Sequence, residues 1–312
     1  MAVGQNWTTS SLGGYLANPT LSKAMRHAAS PLYIFRQFCK IKEAFGHGKA
    51  DKVYFDKMSR ISTRGGTLTE TTTMPETNFT VSQDSITVNE YGNSIPYSEK
   101  LQTLSEFNVN DETSVVIRDD MHDVLDRAVA TVATAADLLA IVINTATTSF
   151  STNGTINHTA HGNMSDKNVR DIIDYMKIKK IPKYENGSDY ISIATVNAQR
   201  GLYDYLQALM AYTTPEYMFN QEKGKYYGCR FVEENNVLSN IKGFSANSGE
   251  ALFLGGDALM EAVAVPEELR MKIPTDYGRS KGVAWYALLG FKKIWDYSTD
   301  SEEHELFMTS SV

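Results

Sequence analysis

A chain of 312 residues with 42% hydrophobic and 21% charged side chains is long enough for a sizeable core and too balanced for a disordered or collagen-like polymer. Its net charge of -7 argues against a dedicated nucleic-acid reader that is basic on every face, and its only cysteines, Cys39 and Cys229, lack the spacing of a disulfide framework or zinc site. No apolar run nears the roughly 20 residues of a membrane span, Leu138 to Ile143 being the best, and the start lacks the parts of a secretory signal, so residence in a cytoplasm is expected.

Residues 1–30 are rich in Gly, Ser, Thr, Asn and Ala, with Pro19 and Pro31 as punctuation, and predict an extended arm with little core of its own. Charge is uneven: residues 1–60 sum to +6, leaving -13 for the rest. A basic first segment on an acidic body suits an arm lying across the acidic surface of a neighbour, or one facing nucleic acid. Leu32, Ile34, Phe35, Phe38, Ile41 and Phe45 predict a short amphipathic helix over 32–45, ended by Gly46-His47-Gly48.

From Lys52 the period changes to two, Val53 and Phe55 alternating with Lys52, Tyr54 and Asp56, which predicts a strand. Residues 62–78 are polar and Thr-rich. Phe79, Val81, Ile86, Val88 and Tyr91 then return as alternating strand up to Ile95. The excursion over 50–97 therefore has a tip with no core to bury against. Because an isolated hairpin is marginal in water, something outside its own domain must stabilise it, and a neighbouring subunit is the simplest candidate.

Ile117, Met121, Val124, Leu125, Ala128, Val132, Ala135, Leu139 and Val142 recur at helical spacing, with Asn110 or Asp111 as cap, and predict one long helix over 111–146, about 50 Å at 1.5 Å per residue. A loop is expected over 147–167, a helix over 166–180, a strand over Tyr190–Val196, a helix over Asn197–Ala211 and a strand over Gly228–Asn235. Four further strands follow: Ala251–Leu254, Leu259–Val265, Val283–Leu289 and Phe291–Tyr297. The class is α+β, since helices and strands interleave without βαβ alternation.

Three groupings could carry chemistry. Asp119, Asp120 and Asp123 spell DDxxD on a helix, the arrangement that holds magnesium in isoprenoid synthases, but there is no second acidic cluster, and a solvated or intersubunit helix face is the better reading. His158 and His161 sit in a loop without a cysteine neighbour. Tyr203, Tyr205, Tyr212, Tyr217, Phe219, Tyr226, Tyr227 and Phe231 could stack bases, yet so few Arg and Lys accompany them that packing is preferred. Gly255-Gly256-Asp257 reads as a turn between strands. With no nucleophile motif, no enzyme activity, cofactor or metal is expected.

The order of arm, Thr-rich excursion, long helix and compact mixed portion resembles the Hong Kong 97 capsid fold. More specifically, Lys52-Val53-Tyr54-Phe55, Gly66-Thr67-Leu68-Thr69-Glu70, Pro75, the run Ile86 to Lys100, and Tyr277-Gly278-Arg279 through Val283 to Ala287 are similar to major capsid proteins of tailed bacteriophages grouped with that of coliphage N4. The resemblance implies an N-terminal arm over 1–48, an extended β-hairpin loop over 49–97, a peripheral domain over 98–180 with a return near 281–312, and an axial domain over 181–280. It implies a virion shell protein assembled in a bacterial cytoplasm as hexamers and pentamers of an icosahedral shell around double-stranded DNA. Portal, scaffold and decoration proteins would be partners, the scaffold a separate protein because no acidic segment precedes the arm. Arg64, Leu68, Glu70, Met74 and Glu76 are the candidate intersubunit contacts, and Lys23 and Arg26 the candidate arm contacts. Lys52 and Lys57 lie in the loop that some relatives cross-link, without an identifiable carboxylate or acceptor. Two rivals are an encapsulin-like nanocompartment shell and a magnesium-dependent enzyme built on Asp119, Asp120 and Asp123.

Overall fold

The computed structural model describes residues 28, 30–31, 33–44, 51–61, 65–71, 73–156, 162–184, 189–210, 225–234, 236–238, 241 and 249–310. Two sheets and one long helix organise them. A four-stranded sheet has the order β1 (Lys40–Ala44), β11 (Leu259–Met271), β12 (Ser280–Lys293), β4 (Asn89–Ser98). A seven-stranded sheet has the order β6 (Thr147–Ser151), β5 (Leu139–Asn144), β13 (Glu305–Ser310), β10 (Gly249–Leu254), β7 (Tyr190–Thr195), β9 (Cys229–Glu234), β8 (Lys225–Tyr226). It is mixed: β13 runs parallel to β5 and β7 to β9, the other pairs antiparallel. The excursion strands β2 (Lys52–Met58) and β3 (Val81–Thr87) form a separate antiparallel pair.

Helix α2 (Val109–Ala133) joins the two sheets. Its first half packs Val109, Ile117, Met121 and Leu125 against Val283, Trp285, Ala287 and Leu289 of β12, below the short helix α1 (Glu99–Leu104). Its last turns pack Val129, Ala130 and Ala133 against Leu139, Ile193, Leu252 and Phe307 of the seven-stranded sheet. Helices α3 (Asp166–Ile178) and α4 (Val196–Met210) cover the other face, where Val169, Ile172, Ile173, Met176, Ala198 and Leu202 meet Ala140, Val142, Ala194 and Phe253.

Several expectations need correction. The long helix stops at Ala133, about 37 Å from its start at 1.5 Å per residue, and is capped by Asn108 rather than Asn110 or Asp111. Its expected second half is strand β5, because Leu138 to Val142 is a continuous apolar run that a central, doubly covered strand buries as well as a helix would. The buried Glu303 carboxylate turns the chain there by accepting the backbone N–H groups of Asp137 and Leu138. The expected loop after it contains β6, which pairs back on β5.

The expected helix over 32–45 is a single 3₁₀ turn, Phe35–Phe38, followed by β1. Pairing of β1 with β11 outweighs the weak local periodicity. Strand β12 runs unbroken through Gly290 where two strands were expected, and β11 extends to Met271. Strand β13 was not anticipated at all. The helices after 166 and 196 and the strands at 190 and 229 lie close to where periodicity placed them.

Candidate functional site

The excursion has two chemically different faces. Pairing of Val53 with Ile86, Phe55 with Asp84 and Lys57 with Ser82 sets these residues on one side; Tyr54, Asp56, Met58, Val81 and Gln83 share the other. The first side is seated on the body. Val53 and Ile86 pack on Ala262 of β11, with Phe55, Val88 and Met260 around them. Gly290 permits the approach, since a Cβ there would lie 2.5 Å from the Thr87 carbonyl oxygen.

Charge completes the seat. The Lys57 ammonium, its side chain only 5% exposed, lies 2.6 Å from Asp300 on α5 (Tyr297–Asp300) and 3.4 Å from Asp84. Lys292 of β12 donates to Asp84 as well. Burial pushes the Asp84 carboxyl up, but hydrogen bonds from Lys292 and the Ser85 N–H, with the charges of Lys292 and Lys57, outweigh it and hold the group below the usual carboxylate range.

Among the described residues, the outer side and the tip have no such cover. Tyr54, Met58, Ile61, Leu68, Met74, Phe79 and Val81 are all exposed, Met74 to 67%. Of the residues singled out by sequence, Leu68, Glu70, Met74 and Glu76 lie in this exposed, strand-free tip, and neither glutamate forms an ion pair among the described residues. Arg64, Lys23 and Arg26 fall outside the described residues. Lys52 is exposed at the base of the hairpin, whereas Lys57 is engaged in the seat.

A second exposed apolar point was missed by sequence. The β11–β12 hairpin ends in Met271, Ile273 and Tyr277, Ile273 being 84% exposed. The turn is well built: Thr275 and Ser280 exchange backbone hydrogen bonds, and Asp276, Tyr277 and Gly278 adopt left-handed conformations. Only Gly278 adopts that conformation without a Cβ penalty, so Tyr277 holds a strained backbone while presenting its ring entirely to solvent. The triplet Asp276-Tyr277-Gly278 after Pro274 was the available signal.

The acidic motif is absorbed by packing. Asp120 accepts from Trp285 Nε1 at 2.8 Å and from Asn93 Nδ2 at 3.0 Å, tying α2 to β12 and β4. Asp123 accepts from Arg127 and Asn236. Among the described residues no group of three His, Cys, Asp or Glu is arranged to hold a metal ion. His158 and His161 lie outside them. Cys39 and Cys229 are free and buried, and burial pushes the Cys39 thiol up to about 12, so neither is a ready nucleophile. Gly255-Gly256-Asp257 is the turn between β10 and β11, pinned to the His304 and Pro182 carbonyls. Of the aromatic series, Phe231 is buried beside Phe253, Tyr226 packs on the same core and Tyr203 donates to Gln199; Tyr212, Tyr217 and Phe219 lie outside the described residues. No helix among the described residues is long and apolar enough to cross a membrane.

Comparison with known proteins gives a consistent result. The phage capsid family matches residues 13–200. No curated protein sequence matches significantly. Among solved structures, the capsid of Ralstonia phage GP4 superposes with a TM-score of 0.68 at 13% identity, over 95% of both chains. An acid-stable capsid of Helicobacter pylori bacteriophage KHP30 gives 0.66 at 11% identity, and the cyanophage Pam1 capsid 0.64 at 14%, each over 100% of both chains. At such identities the likeness is one of fold.

Proposed function

The chain belongs to the phage capsid family, a structural protein of the virion shell, and from that premise we propose that it is the major capsid protein of a tailed bacteriophage with the Hong Kong 97 fold, of the group that includes coliphage N4. In this reading copies join as hexamers and pentamers of an icosahedral shell that encloses double-stranded DNA. Residues 1–48 are the arm, 49–97 the extended loop, 98–180 with 281–312 the peripheral unit, and 181–280 the axial unit. Arg64, Leu68, Glu70, Met74 and Glu76 make contacts between copies, and Lys23 and Arg26 belong to the arm contacts. Portal and scaffold proteins, and non-specific contact with the DNA, complete the partners, with assembly in the host cytoplasm.

The observation that carries the proposal is the excursion: one side is seated by an apolar cluster and buried ion pairs, while the described residues of the other side and the tip expose large apolar side chains from Tyr54 to Val81. Large apolar side chains left exposed on the outer side of a seated hairpin suit an interaction surface. Many modest contacts of this kind, repeated around a closed shell, give a stable assembly by multivalency without one strong interface. Deleting residues 62–78 tests this: the variant is expected to fold and to fail in particle formation, and normal particles from it would overturn the role given to the tip.

A further inference from the structure

Among the described residues, the incoming N-terminal segment covers the outer face of α2 toward its C-terminal end. The buried Asp126 carboxylate accepts the backbone N–H of Arg36 at 3.2 Å. Arg36 then forks onto Glu261 and Glu267 of β11. Three residues earlier, the Tyr33 ring stacks on His122, centroids 5.7 Å apart. Going backward along the chain, the segment therefore moves from 126 to 122, toward the start of the helix.

Ahead of it on the same helical face, at steps of three and four residues, lie Asp119, Val115, Glu112 and Asp111. Asp119 is half-buried without an ion-pair partner among the described residues, and Val115 and the neighbouring Val116 are exposed. Among the described residues Asp111 accepts a hydrogen bond from the Asn108 side-chain amide and has no ion-pair partner. Arg118 flanks the stripe and leaves its net charge negative.

The preceding sequence is complementary. Residues 1–32 contain Lys23 and Arg26 and no acidic residue, and Leu21, Ala24, Met25 and Ala28 recur at three- and four-residue spacing between them. The distance also fits: Asp111 to His122 rises about 16 Å, and the chain from Lys23 to Tyr33 spans about 15 Å if helical and about 33 Å if extended.

We propose that residues 21–32 dock along the Asp111–Asp119 stripe of α2 in their own copy, with Lys23 and Arg26 on the acidic residues and Leu21 and Met25 on Val115 and Val116. The contact is made within one chain and stands apart from the shell reading. A docked arm is then what a neighbouring copy meets.

The test is cysteine cross-linking of the full chain carrying Met25→Cys and Val115→Cys, with Met25→Cys and Ile178→Cys as the control pair, since Ile178 is exposed on α3. Mild oxidation of the unassembled subunit should give an intrachain disulfide in the first pair alone. Cross-links only between chains, or equal yield in both pairs, would overturn the proposal. In a second measurement, limited trypsin cleavage after Lys23 and Arg26 should be about tenfold faster in Asp111→Lys/Asp119→Lys than in the parent chain, the effect of turning surface attraction into repulsion. Equal rates would overturn it as well. Both readouts use the free subunit, so a failure of shell formation leaves them readable.

Discussion

The ammonium of Lys57 on β2 sits 2.6 Å from the carboxylate of Asp300 on α5, with both side chains nearly excluded from water. Removing one partner of such a pair leaves the other charge buried. Asp300→Asn is therefore expected to destabilise the chain by about 3 kcal/mol, whereas the double variant Lys57→Met/Asp300→Leu, which removes both charges and their desolvation cost together, should lose about 1 kcal/mol or less. Urea unfolding gives the totals, and hydrogen exchange of residues 52–87 shows whether the loss lies in the excursion. A silent Asp300→Asn would mean that the pair does not hold the seat.

Acid should loosen the same seat. The Asp84 carboxyl is held below its ordinary value in the folded chain, so its contribution is fully present above the unfolded carboxylate pKa of about 3.9 and is lost as pH falls through the lower folded value. Asp126 and Glu303 are shifted upward by burial and act in the opposite sense, so the comparison must be a difference. Stability measured from pH 6 down to about 3 in the parent and in Asp84→Asn should converge at the acid end. Parallel curves would contradict the assignment.

The Asp120 carboxylate accepts from Trp285 and Asn93, which makes it a packing residue. Asp120→Asn is expected to cost about 1–2 kcal/mol in thermal or urea unfolding. Calorimetry should detect no magnesium binding in either protein. Magnesium binding by the parent that disappears in Asp120→Asn would favour the enzyme reading instead.

How far the sequence could be read depended on how local the determining contacts are. Helices α3 and α4 and strands β7 and β9 follow their own periodicity and cap signals, such as the Ser165 and Asn168 box at the start of α3. The end of α2 was not legible, because Leu139 to Val142 fits a helical stripe and a buried strand equally, and what decides is pairing with β13 and the distant Glu303 carboxylate. Strand β13 itself is buried on both faces and so shows no alternation. The excursion was visible because its Thr-rich tip so plainly has no core. The Ile273–Tyr277 point was not, since its exposure follows from how far β11 and β12 extend together.

That hairpin point gives a further expectation. Ile273→Lys and Tyr277→Lys change residues that touch little in the single copy, so each should shift stability by less than about 0.5 kcal/mol in urea unfolding. Particle yield should nonetheless fall, measured by sedimentation. A variant that is both stable and normal in yield would remove this tip from the assembly surface.

The most direct measurement is negative-stain microscopy of the purified full-length chain beside the chain lacking residues 62–78, both checked for folding by circular dichroism. The account predicts closed shells or capsomer rings from the first and dispersed, folded subunits from the second. A full-length chain that stays monomeric under every assembly condition, or a deletion that forms the same particles, would contradict it.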